Sequence, residues 1–534
     1  MQLLITASKD TYITDKIINS SFSASDANVG MAATLDLFRL ADETFMTGIT
    51  YTNELSRALV KFDLDYIEYL ARTELDLDSS NYKIYLELTS IGSGQTTPSD
   101  FTLICFPLSQ SFDEGIGRDV VSFNDIDVCN FFTASVLDGG NVSTWYASGA
   151  NAEGVINSTV GSGYPDNIDI ITSGNLNDGL GLASLNVSQR FKKGTENLKM
   201  DVTRIVSASI AGIIPAEGFR ISFSGSEEQD NVTRFVKRFA SRHNSDPIKR
   251  PKLRVQYDDA IIDNHINFYF DLSGSLYLKN FHRGAAADIL SGSSLTPVTG
   301  TDCMILKLKS GSFSQEIFCS QVQQGTKVFH AGGVDAVAFV TGVYSASFAV
   351  SGASDGTSLV NSVDTIRDFY TKSGSITFDE IWGSADGTLG YHTGSLKVAR
   401  VPTTSFNSTP DEIDLIVTNA KSSYKETEIP LVRIFVDNIS DDSAKATKLP
   451  FKKKSIGLEK VYYRIVDNRS GQIIIPFTKE NNSTRCSQDS GGVYFRFYAS
   501  SLPIGRTYTF QFLVEENGME KIYDAKNVTF TVEK

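Results

Sequence analysis

Apolar and polar residues alternate at period two along most of this chain, and that alternation restricts the fold more than any other feature. Clear runs are ALVKFDL (58–64), YKIYLEL (82–88), FRISFSG (219–225), KLRVQY (252–257), NFYFDL (267–272), ASFAV (346–350), GSITFDEI (374–381), VYYRIV (461–466), YFRFYA (494–499) and TYTFQFLV (507–514). Successive side chains of a strand point to opposite faces, so these runs read as half-buried strands. Clusters of Gly, Asn, Asp, Ser and Pro separate them, which is turn chemistry. The 34 Phe and 21 Tyr residues suit pleated, half-buried surfaces. Strands at this spacing predict an all-β chain of sandwiches or jelly rolls rather than βαβ units. Only two segments read as helix. One lies around residues 53–57. The other is 357–372, where Leu359, Val363, Ile366 and Phe369 fall at helical spacing.

At 534 residues the chain is too long for one hydrophobic core. Composition divides it into 1–258, closing on RPKLRVQYDD; a central β-domain, 259–402; a stretch 403–445 that starts a C-terminal sandwich or forms a small β unit of its own; and a final sandwich, 446–534. The formal net charge of −14 argues against nucleic acid and anionic membranes as partners. Five scattered cysteines (Cys105, Cys129, Cys303, Cys319 and Cys486) form no disulfide framework and fit synthesis in a reducing cytoplasm. The opening MQLLITASKD has neither the basic nor the apolar region of a signal peptide. No apolar run approaches the roughly 20 residues that span a bilayer.

The first half of the chain carries an ordered set of short motifs. KDTYI runs through Asp10 to Ile13, and ANVGMAATLDLF places an Asn-x-Gly ahead of a Leu-rich strand. RALVKFDL (Arg57 to Leu64), SFDEGIGRD, Thr144-Trp145, DVTRIV and EGFRISF follow in turn. ASRHNSDPIKRPKLRVQY closes the series with Ser-Arg and then Arg-Pro-x-Leu-x-Val. In this order the motifs resemble the DNRLRE-type β-sandwich domain, a family classed near carbohydrate-binding modules. His243 departs from the pattern, which usually has Glu after the closing Ser-Arg. The resemblance implies a jelly-roll sandwich, with polysaccharide binding in some members. The segment LPIGRTYTFQFLVEENG resembles an immunoglobulin-like sandwich. As a whole the chain is similar to structural proteins of marine tailed phages, in which such domains build tail, neck or head appendages.

Candidate chemistry is sparse. Gly352-Ala353-Ser354-Asp355-Gly356 matches the Gly-x-Ser-x-Gly of hydrolase elbows, with Asp364 or Asp379 and then His392 following in triad order. The alternating helices and parallel strands of that fold are missing, and a surface loop is the favoured reading. Asp113-Glu114 and Asp379-Glu380 are adjacent carboxylates, and neighbours on a strand face opposite ways. Asp10 stands where related sandwiches sometimes place a metal-binding carboxylate, which makes structural calcium the one cofactor to test. Trp145 and Tyr146 could stack on a sugar ring, with a core role the favoured alternative for Trp145. Lys448, Lys452, Lys453, Lys454 and Lys460 make a basic cluster that could dock on an acidic neighbour, although such runs are more often solvated turns.

The expectation is a non-enzymatic structural component of a tailed-phage virion, in the tail, neck or a head appendage. It would be made in the host cytoplasm and would act through interfaces with other virion proteins and with copies of itself. The first alternative is an adhesin or receptor-binding fibre protein recognising a host-surface glycan. The second is a serine or glycoside hydrolase.

Overall fold

The computed structural model describes residues 1–18, 22–44, 51–73, 75, 80–92, 94–121, 128–136, 140–157, 167–175, 182–311, 313–324, 338–353, 365–401, 412–439, 455–458, 460–516, 518–525 and 528–534. The fold is all-β and built of many antiparallel sheets, with a few short helices between strands. It divides into two compact units, one over Gln2–Gln256 and one over Tyr257–Gly325 and Ala336–Lys534 with Met1.

In the first unit a four-stranded sheet runs in the order Gln2–Thr6, Lys252–Gln256, Lys83–Leu88, Leu198–Asp201. The first and last strands of the unit are therefore neighbours, with Leu4 opposite Arg254. Burial alternates cleanly along Lys83–Leu88, with Ile84, Leu86 and Leu88 inside. A seven-stranded sheet has the order Val187–Phe191, Phe101–Pro107, Phe219–Phe223, Tyr51–Lys61, Thr34–Thr44, Arg234–Ala240, and Lys9–Thr14 pairs along Tyr51–Lys61. Strand Phe219–Phe223 is buried throughout.

The helix expected near 53–57 is part of strand Tyr51–Lys61. Glu54, Ser56 and Arg57 are all buried there, which breaks the apolar alternation and hides the strand. Arg57 is held by an ion pair to Glu228 at 2.7 Å and a hydrogen bond to the Gly149 carbonyl at 2.7 Å. A helix follows that strand at Asp65–Thr73, which buries Ile67, Leu70 and Ala71 and leaves Tyr66 and Tyr69 stacked outside at 6.0 Å.

The second unit opens with a seven-stranded sheet in the order Phe268–Tyr269, Gly390–Ala399, Ser375–Ser384, Met304–Ser310, Phe313–Gln324, Ala338–Ala349, Ser273–Lys279. Its two ends meet. The Phe268 and Phe348 rings stack at 4.8 Å, and a Cβ on Gly274 would lie 2.6 Å from the Phe268 ring. The sheet is therefore a nearly closed barrel, filled by Trp382, Leu276, Met304, Leu306, Phe378 and Leu396. Of the helix expected over 357–372, the described part is helical: an α turn, Ile366–Asp368, capped reciprocally by Thr365 and Asp368, continues as a π-helical turn, Phe369–Ser373, and stops at Gly374 (φ 67°). Residues 357–364 lie outside the described residues.

The rest of this unit has the character of a β-sandwich. One sheet orders Ile413–Val417, Leu431–Asn438, Gly492–Arg496 and Ser487–Asp489. The other orders Ser423–Lys425, Phe530–Glu533, Thr507–Glu516, Lys460–Asp467 and Ile473–Ile475, with Met519–Asp524 also on Thr507–Glu516. Phe495 sits at the middle of an aromatic core, 4.3 Å from the Tyr463 ring and 5.3 Å from that of Phe510. Edge-to-face and offset pairs of this kind add to the burial of the rings themselves.

Candidate functional site

Three of the short motifs of the first half converge on Asp10. Strand Lys9–Thr14 carries its carboxylate to a fully buried position. The Asp10 backbone N–H donates to Glu114 Oε1 at 3.0 Å, and the Arg242 backbone N–H donates to Asp10 Oδ2 at 2.6 Å. The Arg242 guanidinium pairs with Glu114, and His243 Nε2 lies 3.3 Å from Glu114 Oε1. Asp10 Oδ1 is buried with no hydrogen-bond partner among the described residues. Burial pushes the Asp10 carboxyl up to about 7, with the nearby Glu114 charge adding to the rise.

The calcium expectation at Asp10 is set against these surroundings. A cation there would face a backbone N–H on one Asp10 oxygen, and the charge of Glu114 is already met by Arg242. Among the described residues no group of three or more His, Cys, Asp or Glu side chains could hold a metal ion.

Beneath this cluster, Asn28 of the Asn-x-Gly motif is a fully buried hub. Its amide nitrogen donates to the carbonyls of Glu114 (2.9 Å) and Cys129 (2.8 Å). Its oxygen accepts from the N–H groups of Gly30 (3.1 Å) and Gly117 (2.9 Å). The two loops approach so closely that a Cβ on Gly30 would lie 1.9 Å from the Glu114 carbonyl oxygen. The motifs thus meet as a structural knot.

The two aromatics proposed for sugar stacking part company. Trp145 is 4% exposed, sits in a core cluster with Ile13, Leu59 and Phe112, and donates its indole N–H to the Asn130 carbonyl at 3.0 Å. Its ring faces are not available to a ligand. Tyr146 is 53% exposed. Tyr146 is positioned by Asp169, a residue that sequence reasoning missed. Its buried carboxylate accepts from the N–H groups of Tyr146, Ala147 and Ala152 and from the Gln110 amide.

In the second unit a further charged cluster went unread in the sequence. His265 Nδ1 lies 2.5 Å from Asp263 Oδ1, and its Nε2 lies 3.0 Å from Glu380 Oε2. The buried Glu380 also accepts the indole N–H of Trp382. Burial alone would lower the imidazole pKa, but the two flanking carboxylates overcome it and push it up to about 10. The ring is therefore a cation at neutral pH. Asp379, next to Glu380, is exposed on the opposite face of the strand. His392 is also exposed, while Ser354 and Asp364 lie outside the described residues. Of the lysine cluster, Lys460 pairs with Glu515 at 3.0 Å, and Lys448 and 452–454 lie outside the described residues.

No family model and no curated protein matches the chain. Among solved structures, the chain aligns with a protein from Corynebacterium diphtheriae described as membrane anchored, at 10% identity and a TM-score of 0.13, over 94% of this chain and 96% of that one. At that score the likeness carries no argument about fold or function. No helix among the described residues is long and apolar enough to cross a membrane.

Proposed function

We propose that this chain is a structural component of a tailed-phage particle that acts through protein–protein interfaces. The observation that supports the reading best is the connection between barrel strands Ser273–Lys279 and Met304–Ser310. It folds into two small hairpins, Phe281–His282 with Ala285–Ala286 and Leu290–Ser291 with Thr296–Pro297. These present Phe281, Leu290 and Leu295 to solvent at 62%, 51% and 64% exposure. Large apolar side chains left exposed on short hairpins are a costly surface unless something covers them. Virion neighbours, or further copies of the chain, are the occupants this reading assigns. Five free thiols, four of them buried, fit assembly in a reducing cytoplasm.

The test uses purified protein and phage particles assembled without it. Wild-type chain should dock onto the particles, and a Phe281→Ser, Leu295→Ser double variant that keeps its unfolding temperature should not. Wild-type protein that ignores the particles would sink the proposal.

A further inference from the structure

We infer that the second unit carries a saccharide-binding cleft along the outer side of strand Ser273–Lys279. The inference goes beyond the assembly reading and does not depend on it.

The strand is the last in its sheet and pairs only with Ala338–Ala349. Leu276 points into the barrel and is fully buried, so Ser273, Ser275 and Tyr277 share the outer face. Ser347 lies directly opposite Ser275, and their hydroxyls are 2.7 Å apart. Residues 260–264 run alongside and form a wall. The Asn264 N–H donates to the Ser275 carbonyl, and the Ser275 N–H donates to Asn264 Oδ1, both at 2.9 Å. Ser275 therefore spends its main-chain groups on the wall rather than on the neighbouring strand. In an antiparallel ladder the two kinds of residue pair alternate. It follows that Ser273 and Tyr277 also direct their N–H and C=O groups to this open edge.

Floor and wall enclose an open cleft of about 410 Å³, within the range of small-molecule sites. The side chains that line it carry no charge. Serine hydroxyls, the Tyr277 hydroxyl, the Asn264 amide and edge main-chain groups can each donate or accept. A phosphate or carboxylate ligand would find no countercharge among them. An apolar ligand would leave the hydroxyls unmatched. A chain of sugar hydroxyls matches them, with the Tyr277 ring as a flat surface for a C–H face.

The wall is also held in place. Ile262 and Asn264 face the cleft, and the residues between and after them, Asp263 and His265, are bound into the Glu380 ion-pair network of the barrel. A rigid wall lowers the ordering cost of binding.

The test exposes the full chain to an array of bacterial capsular and lipopolysaccharide glycans, then titrates the best-retained oligosaccharide by calorimetry. Tyr277→Ala should weaken binding about tenfold, the effect of one lost ring contact. Ser347→Leu, an exposed position, should block the cleft without unfolding the barrel. Tyr146→Ala in the first unit should leave binding unchanged. No retained glycan, retention indifferent to both cleft variants, or loss only with Tyr146→Ala would each overturn the inference. None of these results bears on particle docking through Phe281 and Leu295.

Discussion

The imidazole of His265 and the carboxylate of Glu380 are 115 residues apart in the chain and meet at 3.0 Å. Asp263 holds the other ring nitrogen, so one cation sits between two largely buried anions. Removing such a cation leaves uncompensated charge, which costs about 3–5 kcal/mol in comparable buried pairs. His265→Gln should lower the stability of the second unit by that order at pH 7. The pKa is raised above its unfolded value, so the stabilisation is full below about 6.5 and is lost as pH rises towards about 10. The gap between wild type and variant should close across that window. Hydrogen exchange of strand Ser375–Ser384 between pH 6 and 10.5 measures it, and a constant gap would refute the pairing.

Asp10 gives the first unit a pH dependence in a different window. Its folded pKa of about 7 exceeds the unfolded value of 3.8, so its contribution favours folding at low pH and fades as pH rises from about 4 to 7. Asp10→Asn removes this titration. Its stability relative to wild type should therefore improve on going from pH 4 to pH 8, by on the order of 3 kcal/mol. Urea unfolding followed by a probe confined to the first unit checks the sign. A difference that is flat with pH would mean that Asp10 is solvated.

Asn28 should tolerate no truncation. Asn28→Ala would strand four backbone groups that its side chain now satisfies. Each buried unpaired group costs about 1–3 kcal/mol, so loss of folded first unit is expected. Gly30→Ala should be comparably harmful through its contact with the Glu114 carbonyl. Thermal unfolding of the two variants is the measurement. A loss below about 1 kcal/mol in either would show that the knot can open cheaply.

Trp145→Phe should destabilise the first unit by about 1–3 kcal/mol, through lost volume and the lost indole hydrogen bond to the Asn130 carbonyl. Tyr146→Ala should change stability by less than about 0.5 kcal/mol, as exposed substitutions usually do. Denaturant titration of both variants separates a core tryptophan from an exposed tyrosine.

How far the sequence could be read depends on how each element is buried. Lys83–Leu88 and Thr507–Glu516 bury mainly alternate side chains, and period-two counting finds them. Tyr51–Lys61 buries Glu54, Ser56 and Arg57 among its apolar residues, so its polarity misreports its environment. Asp65–Thr73 is too short for a helical period to stand out beside strands. The candidate sites were less legible still. Asp10, Glu114 and Arg242 each fell inside a quoted motif, yet nothing local says that they converge. Asp169 and Glu380 look like ordinary carboxylates, and only the partners that fold around them reveal the difference.

The pairing of Gln2–Thr6 with Lys252–Gln256 also has a consequence for synthesis. A ribosome delivers the earlier strand long before the later one. At about 5–20 residues per second the wait is roughly 10–50 s. Throughout that interval Leu3, Leu4 and Ile5 have no strand to lie against. The first unit can close only once Lys252–Gln256 has left the ribosome.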